Sequence, residues 1–346
     1  MNEPVAHGGD LGAARRLFPY APQPFIDLST GINPVPYPLP QLSHDAFTRL
    51  PEPEAIERLA SIAARAYAAP SAAHVVPAPG SQMLLPLVAG LAPPGRAAIL
   101  GPTYAEHARA AALAGHDVHE VHTVEQMRGA ALAMVTSPNN PDGRVATRNE
   151  LLALADDLRT RDGLLLVDEA FMDVGPHGAS LAAELGSGNI VVLRSFGKFY
   201  GLAGVRLGFA LAAPEVAARI RAALGPWAVS GPAIAIGEIA LADRDWAAGT
   251  LSALANAAQG VDILLSDAGL EIVGGTSLFR LVHTANAVEL FDRLGRAGVL
   301  VRRFSEHPTW LRFGLPAAEE EWQRLAEALG VSSRCSVQTN KSYSGG

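Results

Sequence analysis

Seven short apolar runs, most of them set apart by stretches long enough to hold a helix, constrain this chain more than any other feature. They lie at residues 74–78, 97–100, 118–121, 131–136, 164–168, 190–194 and 207–211. Runs of this length read as buried strands, and strands joined through helices build a mainly parallel sheet with helices on its faces. The expected fold class is α/β: a mainly parallel seven-stranded sheet covered by helices, followed by a smaller α+β domain. That second part starts after Pro226, with helices at 233–241 and 250–267, a strand at 277–282, a helix at 287–297 and strands at 299–301 and 310–313. One helix start is explicit: Thr147 and Glu150 have capping-box spacing, and Gly163 stands as the stop. Upstream, Pro19, Pro22, Pro24, Pro34, Pro36, Pro38 and Pro40 exclude a helix or a central strand, so residues 19–40 read as an extended arm. The expected division is an arm over 1–40 belonging to the small domain or an interface, a large domain over 41–225, a small domain over 226–330 and a tail over 331–346. The tail is polar and Gly/Ser-rich, a composition that predicts disorder.

With 346 residues, 49% of them hydrophobic, the chain can bury a sizeable core. A net charge of −7 without a stripe of Lys or Arg excludes the electrostatic footprint of a nucleic-acid binder and favours a small-molecule partner. The single cysteine, Cys335, excludes a disulfide framework and a thiolate cluster, which fits a reducing cytoplasm. Residues 1–10 lack the pattern of a signal peptide, and no apolar run is long enough to span a bilayer, so no membrane partner is expected. His116, His119 and His122 invite a metal reading. On a strand the middle one faces away from the other two, so no metal is expected.

Polar residues gather where the runs end. Gly80, Ser81 and Gln82 follow the first run, Tyr104 the second and Asn139-Asn140 the fourth; Asp168 closes the fifth, and Ser195 and Lys198 follow the sixth. The carboxyl edge of an open α/β sheet is where ligands bind. Each position also has a plainer reading. Gly-Ser suits any strand-to-helix turn, Asn-Asn-Pro-Asp-Gly is turn composition, Asp168 can cap a helix and Tyr104 can be core.

Three stretches narrow this down. Ser137-Pro-Asn-Asn-Pro-Asp-Gly143, Val167-Asp-Glu-Ala-Phe171 and Arg194-Ser-Phe-Gly-Lys-Phe-Tyr-Gly-Leu-Ala-Gly-Val-Arg-Leu-Gly208 resemble, in order, the central signatures of the class I/II aminotransferases. His7-Gly-Gly9 and Asp27-Leu-Ser-Thr-Gly-Ile-Asn-Pro34 resemble one branch, the threonine-phosphate decarboxylases of cobalamin biosynthesis, which is itself similar to the histidinol-phosphate aminotransferases. Supporting matches are Pro226-Trp-Ala-Val-Ser230 and Val299-Leu-Val-Arg302 followed by Arg312.

The resemblance implies an aspartate-aminotransferase-like large domain, pyridoxal 5′-phosphate (PLP) as cofactor, and Lys198 as the amine that carries the cofactor's aldehyde. With PLP as the ligand, the backbone at Gly80, Ser81 and Gln82, the Ser195 hydroxyl and the Arg206 guanidinium are suited to its phosphate. Asp168 is suited to the pyridine nitrogen, Asn140 to the phenolic oxygen and Tyr104 to the ring face. In this family Arg312 corresponds to the residue that grips the substrate α-carboxylate, while His7, Asn33 and Arg302 line the end that receives the substrate phosphate. The implied activity is that of a PLP-dependent lyase on a small phosphorylated amino acid, L-threonine O-3-phosphate, in a homodimer. The alternatives are a histidinol-phosphate or broader aminotransferase, which shares every cofactor contact, and, from another class, a non-catalytic effector-binding module on the same fold. The chain departs from the family at Phe171 in place of Tyr, Ala55 in place of an arm Tyr that reaches the partner subunit, Asp142 in place of Thr, and Thr30-Gly31 in place of Ala-Asn.

Overall fold

The computed structural model describes residues 7–331. Its strands, in chain order, are β1 (Ile26–Leu28), β2 (Val75–Ala78), β3 (Arg96–Leu100), β4 (Asp117–Val121), β5 (Leu132–Thr136), β6 (Leu164–Asp168), β7 (Ile190–Ser195), β8 (Gly208–Ala212), β9 (Glu271–Thr276), β10 (Phe279–His283), β11 (Val299–Arg303) and β12 (Trp310–Phe313). They fall into two compact units, residues 35–248 and residues 7–34 with 249–331.

The first unit holds the expected seven-stranded sheet, in the order β2-β8-β7-β6-β5-β3-β4. Neighbours from β7 through β4 are parallel, whereas β8 is antiparallel to both β7 and β2. Twelve residues, 196–207, join β7 to β8, and they hold the one-turn helix Phe196–Phe199 and a 3-10 turn at Ala203–Val205 in place of the longer helix typical of a parallel crossover. Strands β5, β6 and β8 are buried at every residue, and β7 at all but its last. Burial on both faces is why they read as unbroken apolar runs. β4, at the edge, is largely exposed and accordingly carries Asp117, His119 and Glu120. One core face packs Val76, Leu84, Leu85, Ile99, Leu132, Met134, Leu166, Val191 and Leu193. The helix Arg148–Arg159 starts with the full capping box: Thr147 Oγ1 accepts from Glu150 N at 3.3 Å and Thr147 N donates to Glu150 Oε2 at 3.0 Å.

The second unit is built on a five-stranded sheet of order β1-β11-β12-β10-β9, in which β1 runs parallel to β11 and the other pairs are antiparallel. Three of its features differ from the expectation. The proline-rich arm contributes β1, and a helix, Leu11–Leu17, precedes it, capped by Asp10 Oδ1 on Ala13 N at 2.8 Å. The strand expected at 277–282 is the second arm of a hairpin whose turn occupies residues 277–278. Its first arm, β9, is half exposed and carries Gly274-Gly275, so it lacks an apolar signature.

The units part at 34/35 and 248/249, where the expected boundaries stood at 40/41 and 225/226. The helix Gly231–Ala242 belongs to the first unit because it packs on helix Pro53–Ala66. A side chain at Gly237 would strike Leu207 at 2.6 Å and Leu59 at 3.1 Å. Apart from Val331, the tail expected at 331–346 lies outside the described residues. Among the described residues no helix is long and apolar enough to cross a membrane.

Candidate active site

At the carboxyl edge of the first unit's sheet, two glycines bring two loops together. Gly80 sits at φ +90°, and a Cβ there would lie 2.6 Å from Nη2 of Arg206, so only glycine leaves the guanidinium its place. A Cβ on Gly208 would collide with the backbone nitrogen of Ser81. Gly208 pairs with Ser195 in the β7–β8 register, so Gly80, Ser81, Ser195 and Arg206 converge. Arg206 is itself held in the left-handed region, φ +56°, with Nη1 donating to the Ala203 carbonyl at 3.1 Å. A non-glycine residue there costs conformational energy that the surrounding fold has to supply. The segment expected to open a helix at Gly80-Ser81-Gln82 opens a single 3-10 turn, Ser81–Met83, followed by the short helix Leu84–Ala89.

Asp168 is the last residue of β6 and is 7% exposed. Its Oδ1 accepts from Ala170 N at 3.1 Å, and its Oδ2 lies 3.0 Å from His107 Nε2. His107 is buried, with Nδ1 2.9 Å from the Tyr104 carbonyl oxygen and its ring edge-on to the Tyr104 ring. The Tyr104 hydroxyl donates to Gln82 Oε1 at 3.2 Å. Beside this group, the turn carrying Asn140 is braced from within. Asn139 Oδ1 accepts from Thr103 Oγ1 at 2.7 Å, and Asn139 Nδ2 donates to Asp142 Oδ1 at 2.8 Å and to the Pro102 carbonyl at 2.9 Å. Asp142, in place of the family's Thr, is thereby a structural acceptor within the turn.

Lys198 lies half-buried on the one-turn helix after β7, its Nζ 5.7 Å from the centre of the Phe171 ring, three residues beyond Asp168. It is the only lysine among the described residues; the chain's other one is Lys341. The turn is anchored by aromatic packing: Tyr200 stacks on Phe196 at 4.5 Å and on Trp246 at 5.5 Å. Adjacent to Asp168 and Ser195 in sequence, Glu169 and Arg194 form a buried ion pair at 3.2 Å, which Asp173 extends at 2.8 Å. Burial works against the Arg194 charge, but Asp173 and Glu169 outweigh it and hold its pKa above the ordinary guanidinium value.

In the second unit, Arg302 of β11 and Arg312 of β12 are direct cross-strand partners. Arg312 is 6% exposed, and its Nη2 donates to the Ser29 carbonyl at 2.7 Å. Burial first, and the neighbouring Arg302 charge second, push its pKa down to about 10 against the opposing pull of Asp27. Asp27 Oδ1 accepts from both Ser29 N at 2.9 Å and Ser29 Oγ at 2.6 Å, and Ser29 Oγ in turn accepts from Gly9 N at 2.8 Å. Gly8 packs against the Ser29 carbonyl where no side chain fits. His7 is exposed at the start of this segment and Asn33 is buried near its end.

Sequence reasoning passed over His107, Glu106, Thr103 and the Arg194 network. His107 lies three residues beyond Tyr104, but its partner Asp168 is 61 residues away, so local spacing gave no signal for it.

Residues 43–329 match the family described as aminotransferase class I and II. The chain belongs to this family. It is 43% identical over 331 residues to a threonine-phosphate decarboxylase of Sinorhizobium sp., covering 95% of this chain and 98% of that one. It is 42% identical over 328 residues to the threonine-phosphate decarboxylase of Pseudomonas aeruginosa, covering 94% and 97%. Among solved structures, the histidinol-phosphate aminotransferase of Sinorhizobium meliloti in complex with pyridoxal-5′-phosphate superposes with a TM-score of 0.80 at 23% identity, over 95% of this chain and 94% of that one. The fold is thus shared over 95% of this chain.

Proposed function

We propose that this chain decarboxylates L-threonine O-3-phosphate to (R)-1-aminopropan-2-yl phosphate, a step of cobalamin biosynthesis, with PLP as its cofactor. The observation that carries the substrate reading is the cross-strand pair Arg302 and Arg312. Two guanidinium groups side by side suit a molecule with two anionic groups, and full-length similarity to threonine-phosphate decarboxylases supports a carboxylate and a phosphate as those groups.

The cofactor fits the residues present. The space that a Cβ on Gly80 would fill is taken by the Arg206 guanidinium, and with Ser81 and Ser195 beside it this corner suits a phosphate dianion. Asp168 would hold a proton at the pyridine nitrogen, Asn140 would meet the phenolic oxygen and Tyr104 the ring face. When bound, PLP supplies an electron sink for the pair left on Cα as carbon dioxide departs. Lys198 would carry the cofactor through its amine, and as a free amine it could hold or deliver a proton at Cα. Arg312 holds the α-carboxylate, and Arg302 with His7 and Asn33 holds the substrate phosphate, fixing which bond at Cα breaks.

We also propose a homodimer in the cytoplasm. Val35, Leu39, Phe47 and Leu50 of the first unit are 61–67% exposed, an apolar set that a second copy would cover. The deciding experiment supplies threonine phosphate with and without 2-oxoglutarate. Carbon dioxide release that ignores 2-oxoglutarate is the expected result. Amino transfer to 2-oxoglutarate would replace this reading with the aminotransferase one.

A further inference from the structure

Glu106 is 7% exposed, and a carboxylate is costly to bury without a use for it. Its Oε2 accepts from Gln82 Nε2 at 3.0 Å, and its Oε1 receives a weaker contact from Arg109 at 3.4 Å. An ionised carboxylate can only accept, so Gln82 must turn its NH2 toward Glu106 and leave its carbonyl oxygen for the other side. That oxygen takes the Tyr104 hydroxyl at 3.2 Å. The chain Glu106, Gln82, Tyr104 is therefore polar in one direction and has one arrangement. Its position is set from the same helical turn that carries His107: Glu106 opens helix Glu106–Leu113, where free backbone N–H groups favour a negative charge. Tyr104 is thus held at its hydroxyl by Gln82, while its carbonyl oxygen and ring meet His107, the partner of Asp168.

We propose that Glu106 is a positioning residue, which locks the Gln82 carboxamide so that the Tyr104 ring is held in one orientation against the face of the cofactor. This rests on the reading of Tyr104 as the residue that meets the PLP ring, and it adds a role for Glu106 and for the side chain of Gln82.

The test measures release of PLP on dilution of the holoenzyme, followed by the absorbance of the bound cofactor, together with the band position and the melting temperature. Glu106→Leu and Tyr104→Phe should each speed release about tenfold and shift the band, the effect of losing one charge-assisted or linked hydrogen bond. The double variant should be no faster than either single one, since both break the same chain. Glu106→Gln, which can still accept from Gln82, should restore most of the wild-type rate. A Glu106→Leu variant that melts earlier but keeps the wild-type release rate and band would reduce Glu106 to a structural residue, as would a double variant whose effects multiply. Should Glu106→Leu fail to fold, an unaltered release rate in Tyr104→Phe sinks the inference by itself. Wild-type protein that binds no PLP would instead overturn the cofactor reading and take this one with it.

Discussion

Two buried arginines, one in each unit, show how differently a fold can treat the same charge. Arg194 is met inside the first unit by two carboxylates, Glu169 and Asp173, and its proton is held more firmly than that of a free guanidinium. Arg312 in the second unit donates to a neutral carbonyl and lies opposite another cation, Arg302, and its proton is held more loosely. The first arrangement carries its own counter-charges; the second gains from an anion brought from outside. A buried charge that the fold matches is architecture. One that the fold sets beside its like has the electrostatics of a binding site.

The widest separation between the units should come from Lys198→Ala. Without this amine kcat/KM should fall by at least ~10³-fold, and borohydride reduction should no longer fix cofactor to the chain, while substrate binding through the second unit persists in equilibrium dialysis. Retained activity would break the assignment of the first unit as the cofactor side.

Arg194→Met should act on the fold. Leaving Glu169 and Asp173 buried without their cation costs about 3–5 kcal/mol, to be read as a lower urea midpoint with and without PLP. Arg312→Gln should do the reverse, with an unchanged urea midpoint and cofactor affinity but kcat/KM lower by about 30-fold or more. If Arg312→Gln melts the protein or Arg194→Met spares it, the contrast between the two arginines is wrong.

The smallest effect is one of pH. With its pKa near 10, Arg312 loses its charge as pH rises through that value, so KM for the substrate should climb by about tenfold per unit above it. A bound anion favours the protonated form, so kcat should hold to higher pH than kcat/KM. The limb that belongs to Arg312 should be missing from the pH profile of Arg312→Gln.

Legibility followed burial. β5, β6, β7 and β8 could be read within a residue or two because both faces are covered and the runs are unbroken. The residues at their ends, Asp168, Ser195 and Lys198, stand out against that apolar background. β1 and β9 could not be read: one is three residues long amid prolines, and the other is half exposed with paired glycines, so each exists because a partner strand is there to bond it. His107 was hidden for a related reason. Its bond to Asp168 joins residues 61 apart, and nothing local to Glu106-His107 announces it.

The order of apolar runs, the glycines at 80 and 208 and the single lysine before the tail were properties of the chain itself, set by which backbone conformations and side-chain types those positions admit. Tertiary structure alone decided that β8 turns back against β7, that Glu106 reaches Gln82, and that Arg302 lies across from Arg312. Those outcomes depend on strand register and on which groups share a dry interior, and both arise only when distant segments pack.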